Sequence, residues 1–105
     1  MLVAPSYAGA APPADEIKRG AVIAQVRCQP CHFLTKRQRR LGPGLLGIYN
    51  RTPSITGLPF NVWSDETLDL WLTNPRAVKI NTKMYLPPLN RRDRRAVIAW
   101  LRQNR

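Results

Sequence analysis

The sequence predicts an all-α domain of three main helices and long loops, and three observations carry that prediction. Apolar residues recur at helical spacing in three stretches, each opened by a residue suited to capping a helix. Glycine and proline gather between those stretches, and no strand-rich segment or internal repeat interrupts them. The chain has 105 residues, too few for two domains, and 44% of them are apolar. A domain this small leans on a staple such as a metal, a disulfide or a cofactor to complete its core. No run approaches the roughly 20 apolar residues that a bilayer-crossing helix requires. Ten prolines and a formal charge of +11 favour disorder, whereas three tryptophans and regular apolar spacing favour a fold.

Residues 1–14 are rich in Ala and Pro and lack the basic start and long apolar middle of a signal peptide. Ser6-Tyr7-Ala8 and Ala8-Gly9-Ala10 have the small-x-small form of a cleavage site, so this stretch reads either as a disordered tail or as the remnant of an export signal. The folded domain is expected over residues 15–105. Asp15 can cap a first helix running to about Val26, with Ile17, Ala21 and Ala24 on one face and Glu16 in the first turn. Residues 33–63 read as loop, punctuated by Gly42-Pro43-Gly44, Gly47, Pro53, Gly57 and Pro59. A loop of that length makes sense if it wraps a large planar ligand. Ser64 caps a second helix, Asp65 to about Thr73, which buries Leu68, Trp71 and Leu72 and stops before Pro75. Asn90 caps a third through about Gln103, its apolar Val97, Ile98, Trp100 and Leu101 lying beside exposed Arg91, Arg92, Arg95 and Arg102.

Between the first helix and the long loop stands Cys28-Gln29-Pro30-Cys31-His32, a C-x-x-C-H run that signals covalent attachment of a c-type haem. One helical turn brings both thiols to two vinyl groups on one edge of the macrocycle, and the adjacent imidazole reaches the iron. A thioredoxin-like pair would follow a strand, but the residues before Cys28 read as a helix. A structural zinc site needs four Cys or His ligands, and the chain has three such residues. A disulfide across so short a span would be strained and would staple almost nothing. For the opposite face of the iron, Met84 is the strong candidate, because the single His is used and Met1 lies at a loose terminus. A thioether favours ferrous iron. Met84 could instead be ordinary core, but its polar, turn-like setting, Asn81-Thr82-Lys83-Met84-Tyr85, argues for ligation. Lys79 and Lys83 are weaker ligands that would each need an unusually low pKa.

From about Gly20 to the C-terminus these residues resemble the class I cytochrome c family, mitochondrial-type members in particular. Gly42-Pro43 looks like the family's Gly-Pro, whose proline carbonyl accepts a hydrogen bond from the ligand imidazole. Arg51 falls where an arginine contacts a haem propionate, and Trp63 where a tryptophan donates to the same group. Thr82-Lys83-Met84 matches the family's Thr-Lys-Met. The resemblance therefore implies one covalent haem c bound by Cys28, Cys31, Pro43, Arg51, Trp63 and Thr82, with His32 and Met84 on the iron. It also shows departures. The segment between Arg51 and Trp63 is shorter than in mitochondrial-type members, and the family's tyrosine on that loop has no clear counterpart. Trp71 stands where a tyrosine often bonds the methionine sulfur, and an indole can donate only through its ring nitrogen. Gly20 matches the small residue that admits the C-terminal helix, but Ala24 replaces the usual aromatic. Trp100 replaces a tyrosine on the opposing helix, and its ring is expected to fill part of the volume lost at Ala24.

Lys36, Arg37, Arg39 and Arg40 follow the attachment motif, and Arg91, Arg92, Arg94 and Arg95 open the last helix. A nucleic-acid binder would show a groove-entering helix or interleaved exposed aromatics. The tryptophans are assigned to the interior and the haem, so nucleic acid is not an expected partner. Lys36, Arg37, Arg39, Arg40 and Lys83 are expected to ring the exposed haem edge and steer an acidic redox partner. With both faces of the iron ligated no coordination site opens, which points to an electron carrier rather than an enzyme. The expected function is that of a monomeric periplasmic protein shuttling single electrons from a reductase or dehydrogenase to an oxidase or other acceptor. The alternative is a dedicated haem c subunit of one periplasmic dehydrogenase. Peroxidase-type chemistry would require Met84 to leave the iron. Thioether attachment is carried out outside the bacterial cytoplasm, and the signal-like first residues agree with export. Because the haem supplies the missing core, chain expressed without attachment machinery is expected to fold poorly, measured as lost helical circular dichroism.

Overall fold

The computed structural model describes residues 12–105, which form four helices and no strand. They are α1 (Ala14–Arg27), α2 (Asp65–Thr73), α3 (Pro75–Val78) and α4 (Arg91–Gln103). The reading of a tail or signal remnant falls mainly on residues 1–11, outside the described residues.

Local chemistry explains most helix ends. Ser64 and Thr67 close a reciprocal capping box at the start of α2: Thr67 N–H donates to Ser64 Oγ at 3.2 Å and Ser64 N–H donates to Thr67 Oγ1 at 2.7 Å. Asn90 Oδ1 accepts from Asp93 N–H at 2.8 Å to open α4. At α1 the structure corrects the expected cap. The helix starts at Ala14, Pro13 occupies the cap position without a side-chain bond, and Asp15 lies inside the first turn with Glu16. Both carboxylates still oppose the positive end of the helix dipole there. α3 is a further difference. Pro75 ends α2 yet sits at the first position of α3, where its missing N–H costs nothing, and Asn74 Oδ1 accepts from Arg76 N–H at 3.2 Å.

α1 and α4 cross closely because Gly20 has no side chain. A methyl group placed there would collide with the Ala96 carbonyl and come within 2.9 Å of Trp100 Cβ. Arg19 on α1 pairs with Asp93 on α4 at 2.7 Å. α4 is tied to α2 by Arg94 with Asp69 at 2.8 Å and by Arg102 with Asp65 at 3.6 Å. These pairs are partly exposed and orient the helices more than they stabilise them. The core is Ile48, Trp63, Leu68, Trp71, Leu72, Leu89, Val97, Ile98 and Leu101, so the apolar faces expected on α2 and α4 are buried except for Trp100, which is half-buried against the core. Ala24 is fully buried, whereas Ile17 and Ala21 are half-buried. Arg102 is not the exposed residue that the helical pattern implies: it is half-buried, with its guanidinium 5.6 Å from the centre of the Tyr49 ring.

The loop after the attachment motif is held by hydrogen bonds rather than by helix or sheet. Leu45 N–H donates to Phe33 O at 2.9 Å, and Asn104 links both sides of the loop. Asn104 Nδ2 donates to Leu34 O at 2.6 Å, and Gly47 N–H donates to Asn104 O at 2.7 Å.

Substituting Gly20→Val is expected to cost about 3 kcal/mol, because the extra carbons meet a backbone carbonyl that cannot swing aside. Trp100→Ala is expected to cost about 2 kcal/mol, reflecting a half-buried aromatic. Thermal unfolding of each haem-loaded variant checks both values.

Candidate haem site

The end of α1 runs directly into the attachment motif. Cys28 N–H donates to Ala24 O at 2.8 Å, and Cys31 and His32 N–H groups both return to Cys28 O, at 3.1 and 2.9 Å. The tight turn so formed presents a buried Cys28 and an exposed Cys31, both free thiols. Burial, with Cys31 beside it, pushes the Cys28 thiol up to about 11. A thiol raised this far is protonated at neutral pH, which argues against a redox nucleophile.

His32 is held in one orientation. Its Nδ1 lies 2.7 Å from Pro43 O, and since a carbonyl only accepts, Nδ1 carries a proton, which in the neutral ring leaves the lone pair on Nε2. Gly42 N–H donates to Cys31 O at 2.8 Å, which brings Pro43 into place. Position 42 has no room for a side chain, because a methyl there would collide with the imidazole.

Met84 sits half-buried against the core in an irregular segment. Trp71 Nε1–H donates to Met84 Sδ at 3.1 Å, so the indole makes the contact that its place in the sequence put in question. Trp71 also packs edge-on to Trp63, ring centres 5.7 Å apart, and Trp63 to Phe60 at 5.1 Å. Trp63 and Arg51 are neighbours through the backbone: Trp63 N–H donates to Arg51 O at 3.0 Å, and Asn50 N–H donates to Trp63 O at 2.7 Å. These two bonds close the neck of the shortened loop. Arg51 Nη2 donates to Leu46 O at 2.8 Å. Thr82 Oγ1 accepts from Met84 N–H at 3.2 Å and makes no hydrogen bond with Arg51 or Trp63.

The residues present fit a c-type haem. Two thiols and an imidazole share one turn, the imidazole exposes the correct nitrogen, and a thioether is oriented by a donor that leaves it a second lone pair. The Trp63 ring is buried, but its indole N–H is not an orphaned buried donor: it has no acceptor among the described residues and remains reachable by solvent or a ligand. Cys28, Cys31, Pro43, Arg51, Trp63 and Thr82 would hold the haem, with His32 and Met84 as iron ligands.

Phe33 was not among the sequence-derived site residues. Lys36 Nζ lies 5.0 Å and Arg40 Cζ 5.1 Å from the centre of its ring. These three side chains, with Gln25, Gln29 and His32, line a cavity of about 260 Å³. The available signal was an aromatic directly after the motif with basic residues three and seven positions on.

No family model matches the chain. Curated relatives do. A cytochrome c of Gibberella zeae is 33% identical over 100 residues, covering 85% of this chain and 94% of the relative. A cytochrome c of Sesamum indicum is 33% identical over 104 residues, covering 89% and 93%. A protein named cytochrome c 2.1 from Caenorhabditis elegans is 31% identical over 93 residues, covering 80% and 84%.

Replacing Trp71 with Phe removes the donor to Met84 Sδ but keeps an aromatic ring. The expected loss is about 1 kcal/mol in retention of the sulfur. In the ferric haem-loaded protein, the sulfur-to-iron charge-transfer band should then disappear at a lower denaturant concentration than in wild type.

Proposed function

Because the chain belongs to the cytochrome c family, we propose that it is a monomeric, periplasmic single-electron shuttle that docks acidic partners through a basic haem edge. Its cofactor is one covalent haem c, with Cys28 and Cys31 spaced for the two thioethers, and it is an electron carrier rather than an enzyme. The haem supplies a one-electron ferric–ferrous couple. His32 would bind through Nε2, with the Pro43 carbonyl fixing the ring and raising its basicity. Met84 would take the other side, oriented by Trp71. With His32 and Met84 both held by their neighbours, the pair would leave the bound group no open position for a substrate, which suits electron transfer. The observation that carries this reading is the hydrogen bond from His32 Nδ1–H to Pro43 O, because it commits the imidazole to ligation through its other nitrogen.

The charge distribution supports docking of an acidic partner. The chain has six acidic residues, and Asp65, Asp69 and Asp93 are paired with arginines of the helices. No acidic residue occurs between Glu16 and Asp65. Lys36, Arg37, Arg39, Arg40 and Lys83 are all exposed. Exposed Leu41 beside the Gly42-Pro43 turn, and exposed Ile80 and Tyr85 flanking Met84, add apolar contact area to that positive field. No helix among the described residues is long and apolar enough to cross a membrane.

The carrier domain would begin with the Pro13 cap of α1, one or two residues before the boundary expected from the sequence, and the stretch ahead of it would be the remnant of the signal that exports it. The named relatives are eukaryotic, so a mitochondrial location is the competing compartment, and cell fractionation separates the two. A reduced-minus-oxidised spectrum of chain coexpressed with haem-attachment machinery should be of c type, and lack of that spectrum would overturn the function. Second-order electron-transfer rates with an acidic redox protein should fall steeply as salt rises. Lys36→Gln with Arg40→Gln should lower the low-salt rate by roughly tenfold, whereas a salt-independent wild-type rate would remove the docking reading.

A further inference from the structure

We propose that Arg37 and Arg51 form a two-guanidinium clamp on one haem propionate, with the backbone at Gly47 as its floor. The inference rests on the haem reading and adds to it a residue that the sequence placed instead in the docking set.

The two side chains meet at a single bare point. Gly47 has φ +71°, and a methyl there would lie 3.0 Å from Arg51 Nη2 and 3.2 Å from Arg37 Nη2. The guanidinium tips are therefore no further apart than those two lengths together. Each is brought there by its own backbone contacts. Arg51 is anchored by its bond to Leu46 O at 2.8 Å and by the paired backbone of Trp63. Arg37 follows from the loop: Leu46 N–H donates to Lys36 O at 3.3 Å, and Gly44 lies so near that a methyl on it would collide with that carbonyl. The floor itself is fixed from the far end of the chain by the bond from Gly47 N–H to Asn104 O.

Two guanidinium groups held this close repel, and no carboxylate side chain relieves them. Among the described residues neither arginine pairs with an acid, and three of the six acidic side chains are occupied by Arg19, Arg94 and Arg102. A carboxylate placed between the forks turns the repulsion into two charge-assisted contacts. Arg51 is the expected propionate contact, and Trp63, bonded to it through the backbone, carries an indole N–H with no acceptor among the described residues. A haem propionate is thus the carboxylate that the pair would take. Arg37 keeps it ionised and favours the ferrous state through its positive charge.

Arg37→Gln and Arg39→Gln each remove one positive charge from the same loop and form a matched pair. In Arg37→Gln the ferric-to-ferrous ratio at a fixed ambient potential should rise roughly threefold, and the propionate ionisation step in the potential–pH curve should move to higher pH. Arg39→Gln should do neither, and Arg37→Lys should restore most of the wild-type behaviour. Indistinguishable Gln variants that both retain a c-type spectrum would overturn the clamp while leaving the function intact. An Arg37→Gln effect that vanishes in phosphate-free buffer would place a free anion between the arginines and overturn the assignment to the propionate. Wild-type chain lacking covalent haem would overturn both readings, and the spectrum of the same samples separates that case.

Discussion

The close crossing of α1 and α4 at Gly20 and Ala96 is the contact on which the remaining geometry depends. It fixes the direction in which α1 ends, and the attachment turn from Cys28 to His32 is simply the continuation of that helix. Arg19 and Asp93 add an orienting pair on one side of the crossing. From α4 the framework extends twice more: Arg94 and Arg102 reach the carboxylates of α2, and Asn104 reaches both sides of the loop that supplies Pro43. A single helix thereby relates the histidine side of the site to the helix that carries Trp71. Only glycine at position 20 permits the approach, because the obstacle is a backbone carbonyl rather than a movable side chain.

Around that framework the chain uses irregular segments where a small protein would ordinarily build more helix. Their backbone polar groups are paired locally, at the neck between Asn50, Arg51 and Trp63 and within the turn around Gly42. Asn50 adopts φ 65°, a left-handed conformation that its short polar side chain tolerates. Loops closed in this way can present side chains inward at fixed positions without a strand or helix beneath them. That is what a large planar cofactor requires, since it must be contacted along several edges at once.

Charge is divided with similar economy. Acidic residues are few and are concentrated near the starts of α1, α2 and α4, where they meet helix dipoles or arginines of a neighbouring helix. The loops on the histidine and methionine sides keep their cations uncompensated by acidic side chains of the same loops. Those cations do not all face one way: Lys36 and Arg40 lie against Phe33, whereas Arg37 turns to Gly47. One basic run therefore serves two neighbourhoods.

Helix existence and most helix ends were legible because they rest on short-range chemistry. Ser64 with Thr67, Asn90 with Asp93, and the apolar spacing of Leu68, Trp71, Leu72, Val97, Ile98 and Leu101 act within one or two turns. The cysteine–histidine turn was legible because the spacing of the motif is itself the chemical requirement, whereas its partner Pro43 was legible only through the resemblance to the cytochrome c family. The start of α1 at Ala14, the turn of helix after Pro75, the lean of Arg102 onto Tyr49, and the bonds of Asn104 were not. Proline marks a helix stop and a helix start equally well, and an arginine at helical spacing reads as exposed whether or not a ring lies beside it. By itself the sequence determined the three main helices, the haem attachment turn and the sulfur ligand to be tested, because those depend on neighbours along the chain. Tertiary structure alone decided that Trp71 points its N–H at Met84 Sδ and that Arg37 meets Arg51 over Gly47, because those contacts depend on how far segments approach across the fold.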